Sequence, residues 1–437
     1  METAFEPRQK QTSPLYGGGN HNFIARAEAS CQFEPLHSSL PPMTSPQTKS
    51  TDSASRTEDH VAFIDYVRAT AILLVVGFHL LMESFGSLEK MEASRFADWN
   101  VGHIVLGLLP FSYGYIGVAI FFLVSGFCIH LSHARSKQKG YKVYFARRFF
   151  RIYPPYFVAL IFFTFVFPYT LLKLDSRINV FQFVSHVLMV QNLDPRSFYG
   201  INGTFWTVAV EVQLYCIYPL LLLFVRRLGW NKALLITGVI EMSIRGLSSV
   251  ANVPYAISAS PFFYWFSWSI GAKLADDYLY GRRLFLAGCP IWVWPCLGAV
   301  VYSVKPLFVF LFPCVSLSTA AVVAYFMSRP AARMPMPQFL CNALRQTGAI
   351  SYSIYLLHGP LLAFLPKTIR AAFPAHEFSL FEIGGCLLLF CVPVFVISWL
   401  SYRFVELPSI GLGKWVIKKM SPSRQAPVLA MPDIAAD

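Results

Sequence analysis

A chain of 437 residues that is 55% hydrophobic, 16% aromatic and only 14% charged, with a mean hydropathy of +0.50, is too apolar for a water-soluble domain. Its repeated apolar runs fit membrane-crossing helices, which need about 20 residues each, and not the alternating segments of a transmembrane β-barrel. The net charge of +13 does not mark a nucleic-acid binder, because the basic residues lie between the apolar runs, where they set membrane orientation.

Residues 1–59 are polar, rich in Ser, Thr, Pro and Gln, and carry no apolar run that would serve as a signal peptide. They are expected to form a disordered extension. Met43 starts the polar lead into the first span and is a candidate translation start; residues 1–42 would then lie upstream and the first span would be an uncleaved signal-anchor. The expected fold is all-α and polytopic, with ten spans: 62–83, 103–131, 152–172, 205–225, 232–250, 260–279, 284–303, 306–327, 349–366 and 380–403. Residues 180–192 are apolar but too short to cross, as in a re-entrant or interfacial helix. The fifth span holds Glu241 and Arg245, four apart and able to pair on one helix face. Residues 60–408 would form the membrane domain. Residues 409–437 would form a cytoplasmic tail, either lying on the membrane around Trp415 and Lys418 or unstructured.

Charge orients this set. The 132–151 connection carries Arg135, Lys137, Lys139, Lys142, Arg147, Arg148 and Arg151. Further clusters (Arg226, Arg227 and Lys232; Lys273, Arg282 and Arg283; Arg329, Arg333 and Arg345; Arg403, Lys414, Lys418 and Lys419) fall on the same side of a ten-span chain. The 84–102 loop opposite is acidic through Glu89, Glu92 and Asp98. Both termini are therefore expected in the cytoplasm. The nine cysteines form no C-x-x-C pair and match no zinc ligand set, so no metal site is expected.

Arg68 and His79 are eleven residues apart in the first span. That is close to three helical turns, so both face one way, about 16 Å apart along the axis. In a hydrocarbon core about 30 Å thick, an arginine at one edge then shares a stripe with a histidine near the middle. Ionisable groups at that depth are functional candidates; a histidine simply bonded to a neighbouring helix is the competing reading. Arg148 and Arg151, at i and i+3, suit a phosphate clamp, although taken alone they also fit an ordinary positive-inside cluster. Glu211 follows Trp206 into the fourth span at a depth matching His79, so the carboxylate is expected to pair with the imidazole, fixing its tautomer and raising its basicity. The alternative is two separately satisfied polar groups. Ser125-Gly126 permits close helix approach, and no G-x-S-x-G elbow is present. Tyr352 and His358, in the run Ser351 to His358, line a polar path or bond between helices. Arg403 and Glu406 suggest a structural ion pair. Asn202-Gly203-Thr204 fits a glycosylation acceptor but abuts the tryptophan motif, which favours a packing role.

Together these motifs resemble the acyltransferase-3 family of integral membrane acyltransferases, which acylate bacterial surface glycans. The resemblance runs in order over 60–408: Arg68-x10-His79, F-F-x-x-S-G-F from Phe121 to Phe127, and R-x-x-R-I-Y-P from Arg148 to Pro154. It continues with W-x4-E-x-Q-x-Y (Trp206, Glu211, Gln213, Tyr215), S-Y-x-x-Y-L-x-H from Ser351 to His358, and Y-R-x-x-E-x-P from Tyr402 to Pro408. Two glycines of the family's opening motif are replaced, by Tyr66 and Ala69. Val212 stands where many members carry a second acid, which points to Glu211 as the one that matters. No hydrolase-like domain follows the last span, so the chain is expected to act alone or with a separate partner.

The resemblance implies an acyl-CoA co-substrate, acetyl-CoA being the commonest, and no bound cofactor. It places the nucleotide phosphates on Arg148 and Arg151, makes His79 the general base or acyl relay, has Glu211 orient it, and has Arg68 contact the donor or stabilise developing charge. Ser125, Trp206, Tyr352 and His358 would line the substrate path. The acceptor would be a glycan or lipid-linked saccharide reached from the outer side of a bacterial inner membrane. A second family, the membrane-bound O-acyltransferases, also uses an intramembrane histidine but lacks the companion motifs. A multi-span transporter or lipid-binding membrane protein is the non-enzyme alternative, and it would show paired discontinuous helices.

Overall fold

The computed structural model describes residues 51–420 apart from 96–100, 137–139, 252, 330–335, 375 and 377–379. Met43, Asp98, Lys137, Lys139, Arg333 and the segments 1–50 and 421–437 lie outside the described residues. Within them the chain is helical, with no strand. The long helices are α1 (Thr51–Phe85), α2 (Gly117–Arg135), α3 (Tyr141–Phe165), α4 (Trp206–Val250), α5 (Trp265–Leu279), α6 (Leu311–Met327), α7 (Gln338–Ala349), α8 (Ser351–Ala372), α9 (Leu380–Ser401) and α10 (Leu407–Met420).

Among the described residues, five stretches are long and apolar enough to cross a membrane: Phe63–Phe85, Val101–Arg135, Trp206–Val250, Pro306–Met327 and Glu382–Met420. The pair α7 and α8, meeting at 75°, makes a sixth if taken as one span. The 205–225 and 232–250 runs share α4, which breaks at Gly229, where φ is 80°. Only Val293–Ser303 of the 284–303 run forms an α-helix.

The tightest crossing joins α2 to α5. A Cβ built on Gly126 would stand 2.0 Å from the Trp268 carbonyl oxygen, and one on Gly271 would stand 1.8 Å from that of Leu123. Only hydrogen fits at either point, which is how small residues bring membrane helices together. The close approach read from Ser125-Gly126 is therefore present.

Two charges inside the second half of α4 are fully paired. Arg245 Nε donates to Glu241 Oε1 at 3.0 Å, and its two other nitrogens donate to the Val309 and Phe263 carbonyls at 2.9 and 2.8 Å. Glu241 also accepts from the Ser267 amide and hydroxyl at 3.0 and 2.9 Å. The expected i, i+4 pair thus ties α4 to α5, with every polar bond made inside the bundle, as burial in lipid demands.

The other expected ion pair does not form. Tyr402–Glu406 is a π-helical turn between α9 and α10, and its i→i+5 bonding widens the helix, so positions three apart no longer stack. Arg403 points outward while Glu406 is buried. Beyond that turn, α10 docks on α3 through a hydrogen bond from the Ser409 hydroxyl to the Phe150 carbonyl.

Candidate active site

The site begins near the start of the apolar part of α1. Arg68, 1% exposed, donates through Nη1 to Asp65 Oδ1 at 2.9 Å and through Nη2 to Cys128 Sγ at 3.1 Å. Three guanidiniums, those of Arg68, Arg345 and Arg151, act on the Asp65 carboxylate. Arg151 also lies 3.9 Å from Glu406 Oε1, and Glu406 accepts the Ser353 hydroxyl at 2.8 Å. The Tyr352 hydroxyl donates to the Ile152 carbonyl. Three motifs far apart in the chain, R-x-x-R, S-Y-x-x-Y and Y-R-x-x-E, therefore converge on one basic end of the bundle.

Arg148 faces a different partner. Its Nη2 donates to Ser132 Oγ at 2.8 Å, and it closes a small polar pocket with His133, Tyr144 and Arg147. Burial and the adjacent Arg148 charge lower the pKa of Arg147, which stands ahead of the apolar part of α3. Among the described residues no carboxylate lines this pocket, an environment suited to an anion. Arg148 and Arg151 lie within α3, ahead of its apolar part, as two adjoining cationic positions, one turned to α2 and the other to the Tyr402–Glu406 turn.

Three turns along α1 from Arg68 stands His79. Its ring meets the edge of His358 on α8, with centroids 5.0 Å apart and planes at 67°. Nδ1 of His358 lies 2.8 Å from the Tyr355 carbonyl and 3.2 Å from that of Ile354. A carbonyl only accepts, so Nδ1 carries the proton and Nε2 the lone pair. The Nε2 atoms of both histidines are buried and have no hydrogen-bond partner among the described residues.

A polar wall rises beside this pair. The Tyr355 ring lies 5.3 Å from His358, and its hydroxyl donates to the Thr204 carbonyl at 2.7 Å and lies 2.9 Å from Thr207 Oγ1. Asn202 is 1% exposed. Its amide donates to the Leu356 carbonyl at 3.0 Å, and its Oδ1 accepts from the Thr204 amide and hydroxyl at 3.0 and 2.8 Å. That buried side chain packs the entrance to α4 against α8 and is closed to glycosylation in the folded chain. Trp206 next to it stacks on Phe198, centroids 4.9 Å apart at 22°.

Glu211 lies one turn further along α4 and is fully buried. Its Oε1 accepts from Ser125 Oγ and Tyr215 Oη, both at 2.6 Å, and Trp268 Nε1 donates to Ser125 Oγ at 3.3 Å. No hydrogen bond joins it to His79. Equal depth does not set the direction around a helix axis: Glu211 looks toward α2 and α5, whereas His79 looks toward α8. The expected carboxylate–imidazole pair is replaced by an imidazole–imidazole pair, and Ser125 serves the carboxylate. Residues that the sequence did not assign to the site are Asp65, Cys128, Ser353 and Arg345. Asp65 carried a signal, since it is three before Arg68 on the same helix face; the others meet the site only through tertiary packing.

Comparison with known proteins adds a family assignment. A family profile described as an acyltransferase domain matches residues 61–403. The chain is 24% identical over 389 residues to the peptidoglycan O-acetyltransferase OatA of Listeria monocytogenes, an alignment covering 80% of this chain and 56% of that protein. It is 24% identical over 389 residues to the acyltransferase MdmB of Streptomyces mycarofaciens, covering 85% of this chain and 95% of that one. Nodulation protein 10 of Rhizobium leguminosarum bv. viciae is 27% identical over 319 residues, or 64% of this chain and 80% of that protein. The chain thus spans little more than half the length of the Listeria relative. No solved structure matches.

Proposed function

The chain belongs to the acyltransferase-3 family, and on that premise we propose that it moves an acyl group, acetyl in the first instance, from acyl-CoA on the basic face to a hydroxyl on the other side of the membrane. The observation that carries this reading is the contacting pair of imidazoles, His358 buried and His79 half-buried, each with a buried Nε2 that has no partner among the described residues, about 16 Å above a guanidinium-lined inner end. A buried acceptor left without a partner costs about 1–3 kcal/mol. The His358 lone pair, beside a His79 Nε2 that also has no partner among the described residues, is explained by a substrate that occupies the gap.

The donor's phosphates would sit on Arg148 and the neighbouring Arg151, whose planar forks suit phosphate oxygens. The pantetheine arm would run along α1 past Arg68, bringing the thioester to His79. His79 would act as general base or transient acyl carrier. Arg68, already held by Asp65 and Cys128, would line the donor path. Glu211 would hold α4 to α2 beside that path and would not orient the ring. Ser125, Trp206 and Tyr352 would shape the walls. The acceptor class is a glycan or lipid-linked saccharide, in keeping with the name of the Listeria relative, and the location is a bacterial inner membrane with the arginine-rich ends in the cytoplasm.

Arg148 tests the donor side. Arg151 neighbours the buried Glu406, so its removal would also disturb packing. Arg148→Ala removes one charge-assisted phosphate contact, worth about 1.5–3 kcal/mol, which corresponds to a KM for acetyl-CoA raised roughly 10- to 100-fold with the acceptor KM unchanged. Initial rates of acetyl transfer by purified protein at varied donor concentration give the number. An effect confined to the acceptor would remove Arg148 from the donor site.

A further inference from the structure

We propose that the two imidazoles divide the reaction, His79 receiving the acyl group from the donor and His358 serving as the general base that activates the acceptor hydroxyl. This deepens the transferase reading and rests on it.

The assignment follows from what each ring is attached to. His79 belongs to α1 and shares its stripe with Arg68, the residue that α1 presents at the basic end. His358 belongs to α8, whose Leu356 carbonyl and Tyr355 hydroxyl are bonded to Asn202 and Thr204. Those two lead into the first segment of α4, whose far end before Gly229 carries Arg226 and Arg227. One ring is therefore reached from the donor's side and the other from the acceptor's. The tautomers favour the same division. The Ile354 and Tyr355 carbonyls hold the His358 proton on Nδ1, so its Nε2 is set to accept a proton. Among the described residues no such bond fixes His79, whose ring stays able to exchange a proton on one nitrogen while the other bonds to carbon.

In the first step His79 Nε2 attacks the thioester carbonyl carbon. The carbon–sulfur bond breaks, and the departing thiolate takes the proton released from His79 Nδ1. In the second step the acceptor oxygen attacks the acyl carbon as its proton passes to His358 Nε2. The carbon–nitrogen bond breaks, and the imidazolate left at His79 recovers its proton from the His358 imidazolium. The sum is thioester plus alcohol giving ester plus thiol, with no other reactant.

Hydroxylamine separates the two roles, because it attacks an acyl group without a general base. Purified protein is given labelled acetyl-CoA with chitotetraose, and in parallel with hydroxylamine. Acetylated sugar plus acetate (water being the simplest hydroxyl acceptor) and acetohydroxamate are counted above the no-enzyme rate. The variant is His358→Asn, whose side-chain amide reproduces the Nδ1 donor to the Ile354 and Tyr355 carbonyls but offers nothing at Nε2. It is expected to lose roughly 10²-fold or more of ester and acetate formation and to keep hydroxamate formation within a few-fold of wild type. His79→Gln is expected to lose both. His358→Asn making ester at the wild-type rate would overturn the proposal. So would its losing hydroxamate in parallel while remaining monodisperse in detergent, or a wild type that yields hydroxamate but neither ester nor acetate. His79→Gln making both products at the wild-type rate would instead strike down the transferase reading of His79 itself, and this proposal with it.

Discussion

Replacing His79 with alanine is expected to lower acyl transfer about 10³-fold, within the 10²–10⁴ range typical of a positioned acid–base group, while inserted protein stays near the wild-type level. The two halves of that expectation have separate causes. The His79 Nε2 makes no hydrogen bond among the described residues, so truncation breaks no internal bond and leaves no other group newly orphaned. Its neighbours lose only ring contacts with Phe78 and His358, and alanine suits the interior of a helix. The chemistry, by contrast, loses the only imidazole on the stripe leading up from Arg68. Transfer measured with purified protein, beside its size-exclusion profile, checks both halves. Transfer at the wild-type rate would contradict the site.

Gly271→Val is expected to have the opposite profile, with loss of the folded protein itself. A Cβ at Gly271 would fall 1.8 Å from the Leu123 carbonyl oxygen and 2.8 Å from the Phe127 backbone nitrogen. These are backbone atoms of α2, which cannot swing aside as a side chain can. Relief requires α5 to separate from α2, which also pulls Trp268 from Ser125 and the carboxylate group of contacts around Glu211. Forced overpacking costs about 1–3 kcal/mol and occasionally more. A clash with backbone across the tightest crossing belongs to the upper end. Gly385→Ala on α9 is the control, since nothing lies within 4 Å of a Cβ there. Melting of purified protein in detergent should fall steeply for Gly271→Val and stay unchanged for Gly385→Ala; equal melting of the two would contradict the packing described.

Features carried by short spacings were legible in the sequence. Glu241 and Arg245 pair as i and i+4, and Gly126 makes the close approach that its neighbourhood suggested. The apolar runs locate helices well: the non-helical Gly229 separates the 205–225 and 232–250 runs within α4, although the 284–303 run holds an α-helix of only eleven residues. Arg403 and Glu406 have the spacing of a pair, and a π-helical turn undoes it. Matching depth placed Glu211 beside His79, yet depth says nothing about which neighbour a side chain faces, and Ser125 with Tyr215 took the carboxylate. The contact of His79 with His358 had no local signal. It depends on α1 and α8 packing together across most of the chain, which only the fold supplies.

The central claim is that an acyl group alone passes from a donor held at the arginine-rich face to an acceptor on the other side. Sealed vesicles containing the purified protein test it most directly, with labelled acetyl-CoA confined to the side that exposes Arg148 and chitotetraose confined to the opposite side. Labelled acetyl on the sugar, with the freed CoA remaining where the donor was placed, is the predicted result. Acetylation only when donor and sugar share one compartment would contradict it.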